Sequence, residues 1–226
     1  MIDKPLYSSS DYLVLYKPSG LATVPLKAKA GGTFLDEVAS RYPSVMNPSG
    51  KNSWEGGCIH RLDTPTSGLV LFALNQDAYD WIILEQNKDR VIKKYIATYT
   101  SKRNIDDGFE EFPFVDVTKN KVTVSSYFRA FGPGSKAVRP VYKNKRNIQG
   151  RLYTTVIEPL DNERCLCTLT RGFRHQVRAH MAWSGHPLLG DVLYGSEEAS
   201  QFGLEAIGIK FTTPSGEVVE ISSAQL

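Results

Sequence analysis

The feature that most constrains the fold of this chain is a nearly continuous apolar run from Gly68 to Leu74, which predicts a buried strand. A loop with the dipeptide Thr64-Pro65 precedes the run and carries an acidic residue, Asp63. A rigid strand behind such a loop would hold the carboxylate still while its front faces solvent. From local chemistry alone, Asp63 is either a catalytic acid or an ordinary loop carboxylate paired with Arg61.

Composition predicts a folded protein. The chain has 226 residues, of which 41% are hydrophobic and 23% charged, enough for a packed core and unlike a disordered chain. The N-terminus lacks the apolar region of a signal peptide, and no apolar segment has the length of a membrane span, so we expect a cytoplasmic protein with no membrane partner. Three cysteines do not make a disulfide framework and are expected to be reduced.

Sequence patterns predict three helices among many short strands. The first helix starts at a capping box on Thr33 and ends before Pro43, the second runs from Gln76 to about Gln86, and the third starts at about Arg174. Strands are predicted at 12–16, 68–74, 91–99, 121–131, 137–142, 151–157, 164–169, 207–211 and 218–221. Short strands separated by turns favour antiparallel pairing. We therefore predict an α/β fold of the α+β type, a mixed, largely antiparallel sheet with flanking helices, as a single domain over residues 1–226.

Basic residues are concentrated in one part of the chain. Residues 117–157 contain no acid and nine bases: Lys119, Lys121, Arg129, Lys136, Arg139, Lys143, Lys145, Arg146 and Arg151. This pattern fits a polyanion bound on one face, and it fits equally a solvated, lysine-rich hairpin. Within it, a Gly-Pro-Gly tip at 132–134 followed by Lys136 and Arg139 is predicted to contact backbone phosphates of a nucleic acid.

Two further stretches contain residue types suited to catalysis. Tyr95 lies in a predicted strand and shares a face with Ala97 and Tyr99, so it is either a tyrosine packed on a sheet or a functional residue. Arg174 and Arg178 fall four positions apart on the third helix. Like charges at this spacing repel, which predicts that an anion or a carboxylate lies opposite them.

Four separated motifs, in the same order, closely resemble those of the RluA-type pseudouridine synthases. They are D-Y-L-V-L-Y-K-P-S-G-L at 11–21, H-R-L-D-T-P-T-S-G-L at 60–69, K-K-Y at 93–95, and R-H-Q-V-R-A-H at 174–180 together with G-H-P-L-L-G-D-V-L-Y-G at 185–195. One such motif alone would be weak support, but four in register cover the chain from about residue 11 to about residue 211.

The resemblance implies a pseudouridine synthase catalytic fold and an enzyme that isomerises uridine in ribosomal or transfer RNA without a cofactor. It implies Asp63 as the catalytic carboxylate, either nucleophile or base; Arg178 as its ion-pair partner; and Tyr95 as a residue that stacks on the uracil and helps to move a proton at C5. Arg61 is implied near the space that a flipped uridine leaves, although a salt bridge to Asp63 would explain it equally. His60 is expected to support substrate binding rather than the chemistry.

The chain departs from the family pattern in two places. Relatives commonly have Gly-Arg-x-His-Gln where this chain has Gly172-Phe173-Arg174-His175-Gln176, so Arg174 receives no family role. The first motif begins near Asp11, so we expect no N-terminal S4-like RNA-binding module, and the catalytic domain itself, expected as a monomer, would bind the RNA.

Two alternative interpretations are a zinc site and an RNA-binding protein without turnover. The pairs Cys58-x-His60 and Cys165-x-Cys167 could supply zinc ligands, but their spacing is atypical of zinc sites, and strand alternation explains both pairs. The alternative to an enzyme is an RNA-binding module or RNA chaperone that keeps the fold without turnover.

Overall fold

A computed structural model of the protein describes residues 4–27, 31–100, 108–142 and 150–223. The chain forms two compact units, unit 1 from Met1–Lys93 and Ala206–Leu226, and unit 2 from Lys94–Glu205. The prediction that residues 1–226 form a single domain stays a prediction. None of the helices within the described ranges is long and apolar enough to cross a membrane, and the predicted cytoplasmic location stays a prediction.

Within the described residues, unit 1 contains two α-helices and a group of neighbouring strands. Its elements are β1 (Tyr7–Ser8), β2 (Tyr12–Lys17), α1 (Phe34–Arg41), β3 (Ser67–Ala73), α2 (Gln76–Asn87), the start of β4 (Ile92–Thr98), most of β9 (Leu204–Thr212) and β10 (Val218–Ser222). Both helices start where the sequence predicts. Thr33 and Asp36 form the capping box of α1, and the Asn75 side chain accepts from the backbone N–H of Ala78 at the start of α2.

The strands of unit 1 follow the order β1-β2-β3-β9, with β10 paired to β9. β2 and β3 are antiparallel, with Tyr12 opposite Ala73 and Lys17 opposite Gly68. Gly68 has a φ of +118°, and a Cβ there would lie 2.2 Å from the carbonyl oxygen of Ala206, so only glycine fits at this point of β3. Alternate side chains of these strands pack with α2 into an apolar core that includes Leu71, Ile82 and Phe211.

The described part of unit 2 consists of antiparallel strands and one α-helix. Its elements are the rest of β4, β5 (Val122–Phe131), β6 (Ala137–Val141), β7 (Tyr153–Pro159), β8 (Arg164–Leu169), α3 (Gln176–Trp183) and the first two residues of β9. The strand order is β4-β8-β7-β5-β6. β5 is long enough to pair with β7 through its first half and with β6 through its second half. α3 is buried along its whole length, and its Ala179 and Ala182 pack with Val138 of β6.

The predicted α+β class, with a mixed, largely antiparallel arrangement of strands and flanking helices, is confirmed. Several elements differ from the prediction: β7 lies two residues further along the chain, and β9 begins three residues earlier. The short strand β1 lacks a recognisable sequence signal, and α3 begins at Gln176 rather than at about Arg174. The later start has a local cause, because His175 adopts a left-handed backbone conformation with a φ of 58°.

Candidate active site

Asp63 lies in the loop before β3, as predicted, and its side chain is partly exposed. The backbone N–H of Thr66 donates to the carbonyl oxygen of Asp63 at 3.0 Å, which closes the predicted Thr-Pro turn. Upstream, the segment from Gly57 to His60 runs beside β3: the N–H of Ile59 donates to the carbonyl oxygen of Leu71 at 3.0 Å. The loop that carries Asp63 is therefore fixed on one side by the buried strand.

A buried lysine fixes the same loop from the other side. Lys17, the last residue of β2, is completely buried, and its ammonium group donates to the carbonyl oxygens of Pro18 at 2.8 Å, Leu21 at 2.7 Å and Thr64 at 3.3 Å. Burial lowers the pKa of Lys17 to about 8, while the nearby Asp63 carboxylate acts in the opposite direction. Lys17 thus joins the first motif to the loop of Asp63 and brings a positive charge near that carboxylate.

The turn after Lys17 adds four more hydrogen bonds to the loop. The Thr23 hydroxyl donates to the carbonyl oxygen of Leu62 at 2.8 Å and accepts from the N–H of the same residue at 3.0 Å. The N–H of Gly20 donates to the carbonyl oxygen of Thr64 at 2.9 Å, and the Ser19 hydroxyl donates to that of Pro65 at 2.6 Å. Residues on both sides of Asp63 are therefore bonded to residues 17–23, which fixes the backbone of its loop.

His60 is held within unit 1 as a neutral side chain. Its Nε2 accepts from the backbone N–H of Leu71 at 3.3 Å. Burial, helped by the positive charge of Lys93, lowers the pKa of His60 to about 3. Lys93 is itself only 4% exposed, and burial lowers its pKa to about 8. These contacts show a structural role for His60 beside β3; its contribution to substrate binding stays a prediction.

Arg61 pairs with Glu55 rather than with Asp63. A salt bridge to Asp63 was the alternative explanation for this arginine, and it is not formed. Its guanidinium lies 3.3 Å from a carboxylate oxygen of Glu55, and 61% of its side chain is exposed. The Glu55 side chain is 11% exposed, and an ion pair with one largely exposed partner contributes on the order of 1 kcal/mol. Arg61 is therefore only weakly held and projects into solvent next to the Asp63 loop, while its contact with RNA stays a prediction.

Tyr95 lies on β4 and is 8% exposed. Burial alternates along this strand, so Tyr95 and Ala97 share the buried face, as predicted, and the following Tyr99 is also 8% exposed. This placement fits a tyrosine packed on a sheet as well as a catalytic one. Its predicted association with Asp63 stays a prediction, since Tyr95 belongs to unit 2 and Asp63 to unit 1.

Arg178 forms a buried, bidentate ion pair with Asp191. Nε and one terminal nitrogen lie 2.7 and 2.9 Å from the two carboxylate oxygens, and the side chains are 6% and 1% exposed. The guanidinium also lies over the rings of Tyr194 and Phe202, at 5.1 and 5.4 Å from their centroids. The prediction of a carboxylate opposite this arginine is confirmed, with Asp191 as that residue. The pairing of Arg178 with Asp63 joins residues of different units and stays a prediction.

Arg174 is engaged differently from Arg178. One terminal nitrogen donates to the carbonyl oxygens of Ser135 and Ala137, at 2.6 and 3.2 Å. Those residues lie at the tip of the β5–β6 hairpin, so Arg174 ties the last motif to that tip. An anion was predicted opposite both arginines, but Arg174 binds two backbone carbonyl oxygens instead.

The predicted basic tip is only partly present. Lys136 is exposed, as expected of a phosphate contact. Arg139 is 3% exposed, and its guanidinium lies 4.3 Å from the ring centroid of Phe109 and 4.1 Å from that of Phe131. The structure therefore corrects the exposed position assigned to Arg139: every residue of β6 is buried, and the Arg139 guanidinium packs among aromatic rings.

The wider basic run is partly neutralised by acids at its two ends. Lys119 pairs with Asp116 at 3.5 Å and Lys121 with Glu158 at 2.8 Å. Lys143, Lys145 and Arg146 lie outside the described residues. Lys119 and Lys121 therefore add little positive charge to the region, whose charge depends on the remaining bases.

The described ranges contain no group of three or more His, Cys, Asp or Glu side chains that could hold a metal ion. Cys58 is buried, and its thiol donates to the carbonyl oxygen of His60 at 3.1 Å. Cys165 and Cys167 are both buried on one face of β8, as strand alternation predicts.

Two residues that the sequence left without a role are central to these arrangements. Lys17 and Asp191 both occur within the motifs quoted above. The available signal for Lys17 was a charge at the end of an apolar strand, directly before proline. For Asp191 it was an acid that follows a helix whose arginines need a carboxylate. Neither signal names the partner, because each pairing joins segments distant in sequence.

Comparison with known proteins gives a consistent result. Residues 11–183 match the family model described as RNA pseudouridylate synthase. The ribosomal large subunit pseudouridine synthase D of Blochmanniella floridana is 30% identical over 189 residues, which are 84% of this chain and 53% of that protein. The uncharacterized RNA pseudouridine synthase YlyB of Bacillus subtilis (strain 168) is 27% identical over 221 residues, 96% of this chain and 67% of that protein. The chain thus spans about half the length of the Blochmanniella protein.

Among solved structures, that of human RNA pseudouridylate synthase domain containing 1 matches with a TM-score of 0.67 and 22% identity. The match covers 100% of this chain and 84% of the human one. The structure of human RNA pseudouridylate synthase domain containing 4 matches with a TM-score of 0.65 and 18% identity. This match covers 98% of this chain and 88% of the human one. These likenesses confirm the predicted pseudouridine synthase fold.

Proposed function

The chain belongs to the RNA pseudouridylate synthase family, and on that basis we propose that it isomerises uridine to pseudouridine in RNA with Asp63 as the catalytic carboxylate. The observation that carries this proposal is the support built around Asp63. A buried strand holds its loop on one side, and Lys17, Ser19, Gly20 and Thr23 hold it on the other. These bonds hold the backbone of the loop, and a catalytic carboxylate has to be held in place in this way.

The reaction breaks the bond between N1 of uracil and C1′ of ribose, turns the base, and forms a bond from C5 to C1′, with loss of the C5 proton. Asp63 acts as a nucleophile or as a base on the sugar, and either role needs the carboxylate ionised. The roles proposed for Tyr95, stacking on the uracil, and for Arg178, pairing with Asp63, come from the family resemblance.

We propose RNA of the large ribosomal subunit as the first substrate to test, because several relatives are named for it. The uridine would be turned out of the RNA to reach Asp63. The exposed Arg61, held only by a surface ion pair, is placed next to this loop and is proposed to fill the vacated space. Mapping modified uridines in total RNA from cells with and without the gene would identify the substrate and the position.

The chemical test uses RNA labelled with tritium at uridine C5. Wild-type protein is expected to release tritium. Asp63→Asn is expected to abolish release, because the amide is neither an anionic nucleophile nor a base, while unfolding in denaturant stays unchanged. Asp80→Asn is the matched control, since Asp80 is an exposed carboxylate on α2 of the same unit.

Undiminished release by Asp63→Asn would end this assignment. The alternative function, RNA binding without turnover, predicts a different result: wild-type protein would bind RNA, yet no modified uridine would appear in it.

A further inference from the structure

Unit 2 carries a stack of aromatic rings that runs from its interior to its surface. Phe128 on β5 is stacked on His180 of α3, with ring centroids 5.2 Å apart and planes at 25°. Phe128 is also stacked on Phe173, with centroids 4.9 Å apart and planes at 6°. His180 is fully buried, whereas Phe173 is 37% exposed, so the outer ring of the stack meets solvent. Tyr153 of β7 lies beside it, its centroid 5.0 Å from that of Phe173.

Hydrogen bonds hold the backbone of Phe173 and the inner end of the stack. The backbone N–H of Phe173 donates to the side-chain oxygen of Gln176 at 2.9 Å. Gln176 is 3% exposed, and its amide nitrogen donates to the carbonyl oxygen of Thr154 and to the hydroxyl of Thr155, both at 2.9 Å. The inner end is equally fixed, because the ring nitrogens of His180 lie 2.9 Å from the hydroxyls of Ser126 and Thr155. Phe173 is therefore preorganised and would lose little conformational freedom on binding a partner.

The residues around the stack favour a negatively charged ligand. Phe128 and Tyr153 belong to residues 117–157, which contain no acid, and Phe173 belongs to residues 164–190, which also contain none. The two stretches meet at the stack, where Arg174 is the next residue after Phe173 and binds backbone carbonyls at the hairpin tip rather than a carboxylate. A flat apolar ring within a positive surface suits a ligand that is itself flat and carries a negative backbone.

We propose that Phe173, supported by Phe128 and Tyr153, is a stacking platform for an unpaired nucleobase of the RNA substrate. Every base offers a flat face, so such a platform contributes affinity with little dependence on sequence. Cations around it, Lys136 at the hairpin tip among them, would contact the phosphates. Phe173 occupies a position where relatives commonly have arginine, so the platform would be a property of this chain. The proposal rests on the proposed function only in taking RNA as the ligand.

The test measures binding of a fluorescent oligouridylate of about 12 nucleotides by anisotropy. Phe173→Ala is expected to weaken binding by about 5- to 150-fold, as the loss of one stacked base predicts. Phe173→Leu keeps an apolar side chain without a flat ring and should lose a similar factor, whereas Phe173→Trp should keep wild-type affinity. Leu160→Ala, which removes an apolar side chain of comparable exposure (41%) from the same unit, should bind as wild type.

A second readout separates stacking from disturbance of the neighbouring arginine. Stacking neutralises no phosphate, so the slope of log affinity against log salt concentration should stay the same in all three Phe173 variants. Equal binding by Phe173→Leu and wild type, loss of binding in Phe173→Trp, or a changed salt slope would overturn the platform. Failure of the wild-type protein to bind the oligouridylate would overturn it too. Tritium release by wild-type protein tests the proposed function separately, so either idea can fail alone.

Discussion

Replacing Lys17 by methionine tests whether Asp63 depends on a buried cation from the first motif. Methionine has nearly the same length and no charge, so it keeps the packing while removing the ammonium group. The carbonyl oxygens of Pro18 and Leu21 then lose donors at 2.8 and 2.7 Å, and that of Thr64 loses a weaker one at 3.3 Å. The loop of Asp63 loses its direct link to Lys17.

The expected change in stability is the difference between two opposing contributions. Hydrogen bonds to a charged donor contribute about 1.5–3 kcal/mol each, so the two shorter bonds represent about 3–6 kcal/mol. Burial of the charge is unfavourable, as the lowered pKa of Lys17 shows, and its removal offsets a large part of that loss. We expect the free energy of unfolding to fall by about 1–3 kcal/mol.

The expected change in activity is larger than the change in stability. A catalytic group displaced by about 1 Å loses about 100-fold in rate. Tritium release at saturating RNA should therefore fall by about 100-fold in Lys17→Met, whereas the dissociation constant for RNA stays close to that of wild type. Lys210→Met is the matched control, because Lys210 lies on β9 in a surface ion pair with Glu220 and should affect neither quantity.

A wild-type rate of tritium release in folded Lys17→Met would refute this reasoning. It would mean that the bonds from Thr23, Gly20 and Ser19 hold the loop without the lysine. A loss of RNA affinity with an unchanged rate at saturation would refute it too, since a positioning residue acts on the rate.

Two further predictions concern unfolding and RNA binding. Burial lowers the pKa of His60 and of His180 to about 3, so between pH 6.5 and 3 the unfolded state binds more protons and stability falls as the pH is lowered, by up to about 1.4 kcal/mol per pH unit for each histidine. Denaturant unfolding at pH 6.5 and 5 should show this, and His180→Gln should remove part of it; equal stability at both pH values would contradict the buried, neutral state. Lys136→Gln should reduce the salt slope of RNA binding by about one without changing stability, whereas Arg139→Gln should lower the free energy of unfolding by about 2 kcal/mol through lost stacking on aromatic rings. If Arg139→Gln instead changed only the salt slope, Arg139 would be a phosphate contact after all.

Local sequence signals predicted the elements well but predicted side-chain pairing poorly. The capping box at Thr33 and the apolar run of β3 are determined by neighbouring residues, so the sequence suffices to locate them. Local signals did not identify Asp191 as a partner of Arg178, because Asp191 reaches it only after the chain has left α3. Arg139 shows the same limit: a count of charges places it on a basic surface, whereas its position on β6 turns it inward among rings.

The contacts of unit 1 explain why two motifs about 40 residues apart occur together in one sequence. Asp63 is the predicted reacting group, and its loop is held by a second segment of the chain: the carbonyl oxygens of Leu62, Thr64 and Pro65 all accept hydrogen bonds from residues 17–23. Changes at Lys17 or Thr23 should therefore reduce the rate as changes near Asp63 do, although neither residue needs to touch the uridine. Under the role proposed for Asp63, the first motif would support the reaction through the backbone that it holds, and substitutions there should be judged by rate as well as by stability.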